Sequence, residues 1–218
     1  MGFDDDKYLP GVYYLTPDMG VEKMLNRLQT TATRGKLVSI VIPEGFTIDQ
    51  IFERLEKNKI CSADSLYKVL DTIDFSDEFE FIAKIDNKNE RYLVLEGYMY
   101  PATYEFEQGA TPGAVIREFL DTFEKRWTED YTKKAEALGK SADEIIKIAS
   151  IIEKEARLDE QRPMVSSVIH NRINTGMKIQ CDPTKAYWKK VIAVQYPDDA
   201  ESYAKFYDTY ECEGLMAG

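Results

Sequence analysis

Two glutamates, Glu153 and Glu155, close the string ASIIEKEA at 149–156. A carboxyl group at the edge of an apolar helix face loses hydration of its charged form, which raises its pKa and lets it donate a proton near neutral pH. One such acid suffices for some sugar chemistry. The start of the helix that carries the pair is legible, since Ser141 followed by Glu144 makes a capping box. Advancing about 100° per residue from there, Ile145, Ile148, Ala149, Ile152 and Ala156 fall in one stripe and are predicted to be buried. Glu153 and Glu155 then lie on opposite shoulders of that stripe, so they cannot serve one site as a pair. The same string also fits two solvated glutamates at the rim of a core helix, with Lys154 between them. The motifs around it favour the first reading.

The chain of 218 residues is long enough for one sizeable domain or two small ones. A net charge of -11 argues against nucleic-acid phosphates or an anionic membrane surface as the main partner, and leaves an uncharged glycan open. Cys61, Cys181 and Cys212 are far apart in sequence and too few for a disulfide framework, so free thiols are expected. His170 is the only histidine, which makes a structural zinc site improbable. There is no run of about eighteen apolar residues and no basic-then-apolar start, hence no membrane span or signal pattern in these residues.

Stepping along the chain, an aromatic strand is expected near 12–15, a turn at Thr16 and Pro17, a helix at 21–28 and a linker at 34–36. Leu37 to Ile42 is an apolar strand rich in β-branched residues, and Pro43 to Gly45 its turn. Thr47 precedes a helix with Ile48, Ile51, Phe52 and Leu55 at helical spacing, and Ser62 precedes another. Residues 74–89 are acidic and irregular and are expected to form a loop with one helical turn. After LEGYMYPATYEF, Pro112 opens a helix to about Trp127. A weak internal echo pairs Tyr13 with Tyr104 and Leu15 with Phe106. If the unit is strand, helix, helix, strand, residues 37–106 are one copy and 1–36 the tail of another.

Four strings now stand in order: LEGYMYPATYEF at 95–106, ASIIEKEA at 149–156, VIHNRINTGMKIQCDPTKAYW at 168–188 and YDTYECEGL at 207–215. Together they resemble the endolytic murein transglycosylases, the MltG or YceG-like family, over about residues 8–218. The third string is the most specific. The resemblance implies an α+β fold, with LysM-like βααβ modules ahead of a mixed α+β catalytic domain: 1–36 a partial module and linker, 37–106 a complete one, 107–218 catalytic and shortened at its C-terminus. It implies a lyase that cuts peptidoglycan glycan strands internally, held at the bacterial cell membrane by a single N-terminal anchor outside these residues, with its catalytic domain extracytoplasmic. It further implies association with cell-wall synthases of elongation or division, and neither metal nor organic cofactor.

Carried over by position, the catalytic residue is Glu153. The resemblance assigns substrate contacts to Asn171, Gln180, Asp182, Thr184, Tyr187, Tyr207, Thr209 and Tyr210, and to Glu96 either a place on the cleft or an anchor at the strand junction, where Gly97 permits a tight turn. Glu155 also matches the family pattern, and its opposite helix shoulder gives it a supporting role at the substrate. Two departures stand out. Asp208 replaces the usual asparagine and is expected to add charge near Glu153, and GLMAG at 214–218 replaces GLPPG. The poorly matched segment 189–204 is expected to be a loop or lid. A non-catalytic glycan-binding protein and a hydrolytic muramidase using Asp182 or Asp208 as second carboxylate remain the alternatives.

Overall fold

The structure is a computed structural model that describes residues 13, 20–29 and 36–218. Apart from residues 13 and 36, the expected strand at 12–15, the Thr16 and Pro17 turn and the linker at 34–36 lie outside the described residues. The helix expected at 21–28 is α1 (Val21–Gln29).

Strand β1 (Leu37–Val41) pairs antiparallel with β2 (Thr103–Glu107), Leu37 opposite Glu107 and Val41 opposite Thr103. Between them run α2 (Ile48–Lys57) and α3 (Ala63–Thr72), so the strand, helix, helix, strand order of 37–106 is present. Both helices start where their caps stand. Thr47 and Gln50 close a capping box on α2, and the Ser62 hydroxyl accepts from the Ser65 N–H on α3. The irregular stretch holds short 3-10 turns at Phe75–Asp77 and Lys88–Glu90 and one turn of helix, α4 (Glu80–Ala83). Ile48, Ile51, Phe52 and Leu55 are at most 1% exposed, each worth roughly 1.5–3 kcal/mol of burial. They join Ile40, Tyr104 and Phe106 of the sheet and Val115, Ile116, Phe119 and Phe123 of α5 (Pro112–Arg126) in a first core.

The rest is helical: α6 (Glu129–Ala137), α7 (Ala142–Glu155), α8 (Arg162–Asn174), α9 (Asp182–Tyr187), α10 (Ala193–Gln195) and α11 (Ala200–Tyr207). Ile148 and Ile151 of α7 meet Ile169, Ile179, Ile192 and Tyr207 in a second core. The protein is therefore α+β as expected, but its described sheet has only two strands, and no strand occurs in 108–218. A mixed α+β architecture for 107–218 is corrected: beyond Glu107, which ends β2, its regular elements are all helical. Its apolar residues recur at helical spacing and leave no alternating stretch for a ladder.

Two further expectations change. Segment 189–204 is no loop: a π-helical turn (Trp188–Ile192) runs into α10, then four residues lead to α11. Trp188 Nε1 donates to the Ala200 carbonyl at 2.7 Å, and Ile192 is fully buried, so the segment is pinned at both ends. The buried stripe of α7 is also rotated. Ile148, Ile151 and Ala156 are buried and Ile145 and Ile152 half-buried, but Ala149 is exposed. A helix packed on one flank only leaves its other flank to line an opening, and Ala149, Ser150 and Glu153 do so.

The capping box of α7 is present as read, with the Ser141 hydroxyl accepting from the Glu144 N–H at 3.1 Å and the Glu144 carboxylate from the Ser141 N–H at 2.8 Å. Ser141→Ala is expected to lower unfolding free energy by about 1 kcal/mol, read from urea titrations of wild type and variant. An unchanged midpoint would show that the cap is not holding the helix.

Candidate active site

The turn at LEGY holds the two halves of the molecule together. Leu95 and Tyr98 are buried in the first core, while Gly97 takes φ +87°, a left-handed backbone that favours glycine. A Cβ there would come within 2.9 Å of Ile146 Cγ2, so the turn lies directly on α7. The Tyr98 hydroxyl donates to Asp143 Oδ1 at 2.6 Å, and Arg91 donates to Asp143 Oδ2 at 2.5 Å. Lys147 Nζ stands 3.1 Å from the same carboxylate. Burial raises the Asp143 pKa, but the bonds from Arg91 and Tyr98 outweigh it, so the acid sits below its usual range. Arg91 is 1% exposed at its side chain, and so this buried charge is paired, as it must be.

Glu96 points the other way. Its carboxylate accepts from the Ile48 N–H at the head of α2, at 3.2 and 3.3 Å, and from the Tyr187 hydroxyl of α9 at 2.7 Å. One side chain thus joins the sheet unit, the junction turn and the last helices. Helix N-termini favour negative charge, yet enclosure of the carboxyl end dominates and raises its pKa to about 7, against the lowering by Tyr187 and Ile48. Glu96 is both an anchor and a cleft residue.

Between these parts lies a cleft of about 1100 Å³. Its walls include the turn at 43–47, the LEGY turn, the exposed flank of α7, Arg162 at the head of α8, and α9. Glu153 is half-buried on the α7 wall. Gly45, at φ +73°, lets the opposite turn come close: a Cβ on it would stand 3.7 Å from Glu153 Cγ and Oε1. Lys154 Nζ fastens that turn by donating to the Gly45 carbonyl at 2.6 Å. Glu153 Oε2 accepts from Arg162 Nη2 at 3.2 Å. The surroundings of Glu153 are thus polar and partly cationic, not the apolar packing expected from the stripe, because the rotation of α7 turns it toward the cleft.

The cleft gathers Glu153, Glu155, Glu96, Asp182, Thr184, Tyr187 and Tyr207. Glu155 is exposed and faces Cys181, so the two α7 glutamates border the cleft by different edges. Asn171, Gln180, Thr209 and Tyr210 do not border it. Asn171 is exposed on α8. Gln180 takes φ 52°, and its N–H donates to the Thr209 carbonyl at 3.0 Å. Thr209 is fully buried, with its hydroxyl 2.8 Å from that of Thr184 and accepting from the Cys181 N–H at 2.9 Å. Tyr210 donates to Asp182 at 2.8 Å. Gln180, Thr209 and Tyr210 hold the loop ahead of α9 in shape, while Asn171 takes no part in it. Asp208 is corrected too: it is buried, lies 2.8 Å from Lys185 Nζ and accepts from the Tyr210 N–H. Burial raises its pKa, the bonds from Lys185 and the Tyr210 N–H together outweigh this, and its charge is spent on those partners instead of on Glu153.

A model of the YceG-like family matches residues 3–218. The chain belongs to the YceG-like family. Among curated relatives, an endolytic murein transglycosylase of Streptococcus pneumoniae (strain D39) is 29% identical over 95% of this chain and 41% of its own length. One from Bacillus subtilis is 30% identical over 95% of this chain and 59% of its own. The chain therefore spans about two fifths to three fifths of these relatives. A crystal structure of a yceG-like protein from Listeria monocytogenes shares the fold with a TM-score of 0.70, at 28% identity over 94% of this chain and 69% of that one.

Sequence reasoning gave no cleft role to Arg162, Lys154 or the Gly45 turn in this YceG-like chain. Gly45 was readable as a turn glycine, but nothing in its spacing placed it beside Glu153. Arg162 lies between two recognisable strings and carried no signal of its own.

The Glu96 carboxyl gives a pH test. Its folded pKa, about 7, lies above the ordinary 4.5. It therefore contributes stability that is complete below the unfolded value and lost as pH rises through 7. Glu96→Gln keeps acceptor capacity without the charge, so its stability relative to wild type should increase between pH 5 and pH 8, by about 1.4 kcal/mol per unit of pKa shift. Urea unfolding of both proteins at the two pH values measures this. A gap that does not move with pH would contradict it.

Proposed function

We propose that this chain carries the cutting site of a peptidoglycan lytic transglycosylase, which breaks the bond between N-acetylmuramic acid and N-acetylglucosamine within glycan strands. The observation that carries the reading is the position of Glu153: a half-buried carboxylate on the wall of a cleft of about 1100 Å³. That space is at the upper end of the roughly 300–1,000 Å³ of ligand pockets and leaves room for a stretch of polymer. The names of the curated relatives support the same substrate.

In this mechanism protonated Glu153 gives its proton to the glycosidic oxygen, and the bond from that oxygen to muramyl C1 breaks. The muramyl C6 hydroxyl attacks C1 and its proton passes to Glu153, which restores the acid and leaves a 1,6-anhydro end. No water is consumed. A hydrolytic route needs a second carboxylate, as nucleophile or to activate water. Glu96 is a poor candidate because its oxygens accept from Ile48 and Tyr187, and Asp208 because it is paired with Lys185. Thr184, Tyr187, Tyr207 and Asp182 supply hydroxyl, ring and carboxylate contacts along the glycan. Glu155 supports the wall beside Cys181.

On this reading 37–106 is a LysM-like module that helps to hold glycan, 1–36 a partial copy, and 107–218 the catalytic part, with α5 packed against the module's core. The protein works outside the cytoplasmic membrane, anchored there, alongside cell-wall synthases. Among the described residues no helix is long and apolar enough to cross a membrane.

Glu153→Gln should lower the release of anhydromuramyl ends by a factor on the order of 10² to 10⁴ while murein binding persists. Mass spectrometry of digested sacculi and a pull-down on insoluble murein give the two readings. Unchanged turnover would remove Glu153 from its role.

A further inference from the structure

The guanidinium beside Glu153 is largely unspent. Arginine offers five N–H donors in a planar fork matched to carboxylates. Arg162 makes one hydrogen bond to a side chain among the described residues, from Nη2 to Glu153 Oε2 at 3.2 Å. Its Nε stands 3.3 Å from the Asp159 carboxylate, which is 89% exposed, without a hydrogen bond, and is shut off from solvent with no acceptor. Buried polar atoms without partners are rare in native proteins and call for an explanation. Arg162 borders the cleft, and its side chain as a whole is 43% exposed. On the same cleft, Lys154 spends its ammonium on a neutral carbonyl, that of Gly45. A chain of net charge -11 thus sets two cations around one cleft carboxylate.

We infer that Arg162, with Lys154 on the same cleft, reads a carboxylate carried by the glycan and exchanges Glu153 for it when substrate binds. The inference rests on the proposed murein substrate. Of the two alternating sugars only muramic acid bears an acid, on its lactyl ether, and that is the sugar whose C1 is attacked. The lactyl carboxylate is free where the peptide stem has been removed. Where the stem remains, the lactyl group is an amide and the stem supplies carboxylates of its own. Either anion can take the fork in two parallel bonds, which the single bond to Glu153 does not. Arg162 keeps a negative partner throughout the exchange. Glu153, released from the guanidinium, is then free to turn to the glycosidic oxygen. Arg162 is on this account a positioning and specificity residue, and the charge of the substrate sets when Glu153 is available.

The test uses three glycan preparations: strands stripped of stems with free lactyl carboxylates, the same strands with those acids converted to neutral methyl amides, and stem-bearing strands. Calorimetric affinity and the rate of chain cutting are measured for wild type, Arg162→Gln, Arg162→Lys and Glu153→Gln, each checked by thermal melting. Wild type should favour an acidic preparation over the neutral one by about tenfold, as one charge-assisted bond allows. The stripped or the stem-bearing strands showing that preference identifies the lactyl or the stem acid as the source. Arg162→Gln should lose the preference, and Arg162→Lys, which keeps the charge but not the fork, should retain part of it. Glu153→Gln, with its competitor for the fork neutralised, should bind the acidic strands more tightly than wild type. Equal affinity of wild type for acidic and neutral strands, or a preference that survives in Arg162→Gln, overturns the inference. Binding with this charge preference but no cutting overturns the proposed activity and upholds the carboxylate site, whereas cutting without charge preference does the reverse.

Discussion

A carboxylate withdrawn from water must be given donors, and Glu96 takes its donors from two parts of the chain that would otherwise only touch. The Ile48 N–H fixes the start of α2, and with it the turn at 43–47, while the Tyr187 hydroxyl fixes the end of α9. Leaving that group unpaired would cost several kcal/mol. Gly97 lays the same turn on Ile146, and Tyr98 binds Asp143. The cleft exists because these contacts hold its walls at a set distance. Gly45 comes up to Glu153 from a turn more than a hundred residues earlier for the same reason.

Electrostatics then divide the acids of the cleft by role. Asp143 faces Arg91 and Lys147 and stays charged, a strut across the junction. Glu96 is enclosed and titrates near neutrality, committed to protein donors. Glu153 shares the open part of the cleft with a guanidinium that has donors to spare. Only the last of these carboxylates faces the open cleft with an exchangeable partner, as the proposed role of proton donor and acceptor requires.

How much of this could be read beforehand follows from the range of the interactions. Caps are local, so Ser141 and Glu144, Thr47 and the proline at 112 placed their helices without knowledge of the rest. The apolar pattern Ile48, Ile51, Phe52, Leu55 gave the core face of α2 because that helix packs on one side. The same arithmetic misplaced Ala149, since α7 has a core on one flank and a cleft on the other, and periodicity alone does not distinguish a small cleft residue from a small core residue. Segment 189–204 escaped because a loop was inferred from poor pattern, whereas Ile192 and Trp188 tie it down through contacts remote in sequence. Motif membership located Glu153, Tyr187 and Tyr207 on the cleft, but it also named Thr209 and Gln180, which shape the loop before α9. Arg162 needed coordinates, because what marks it is an unspent donor and not a residue type.

The central claim is that the substrate provides the nucleophile and one carboxyl group handles its proton. Running the digestion of murein in water enriched in oxygen-18 tests this most directly, with the new muramyl ends analysed by mass spectrometry. The account predicts ends lighter than the hydrolytic product by one water and free of the label. Labelled, reducing muramyl ends would contradict it, since the attacking oxygen would then have come from solvent.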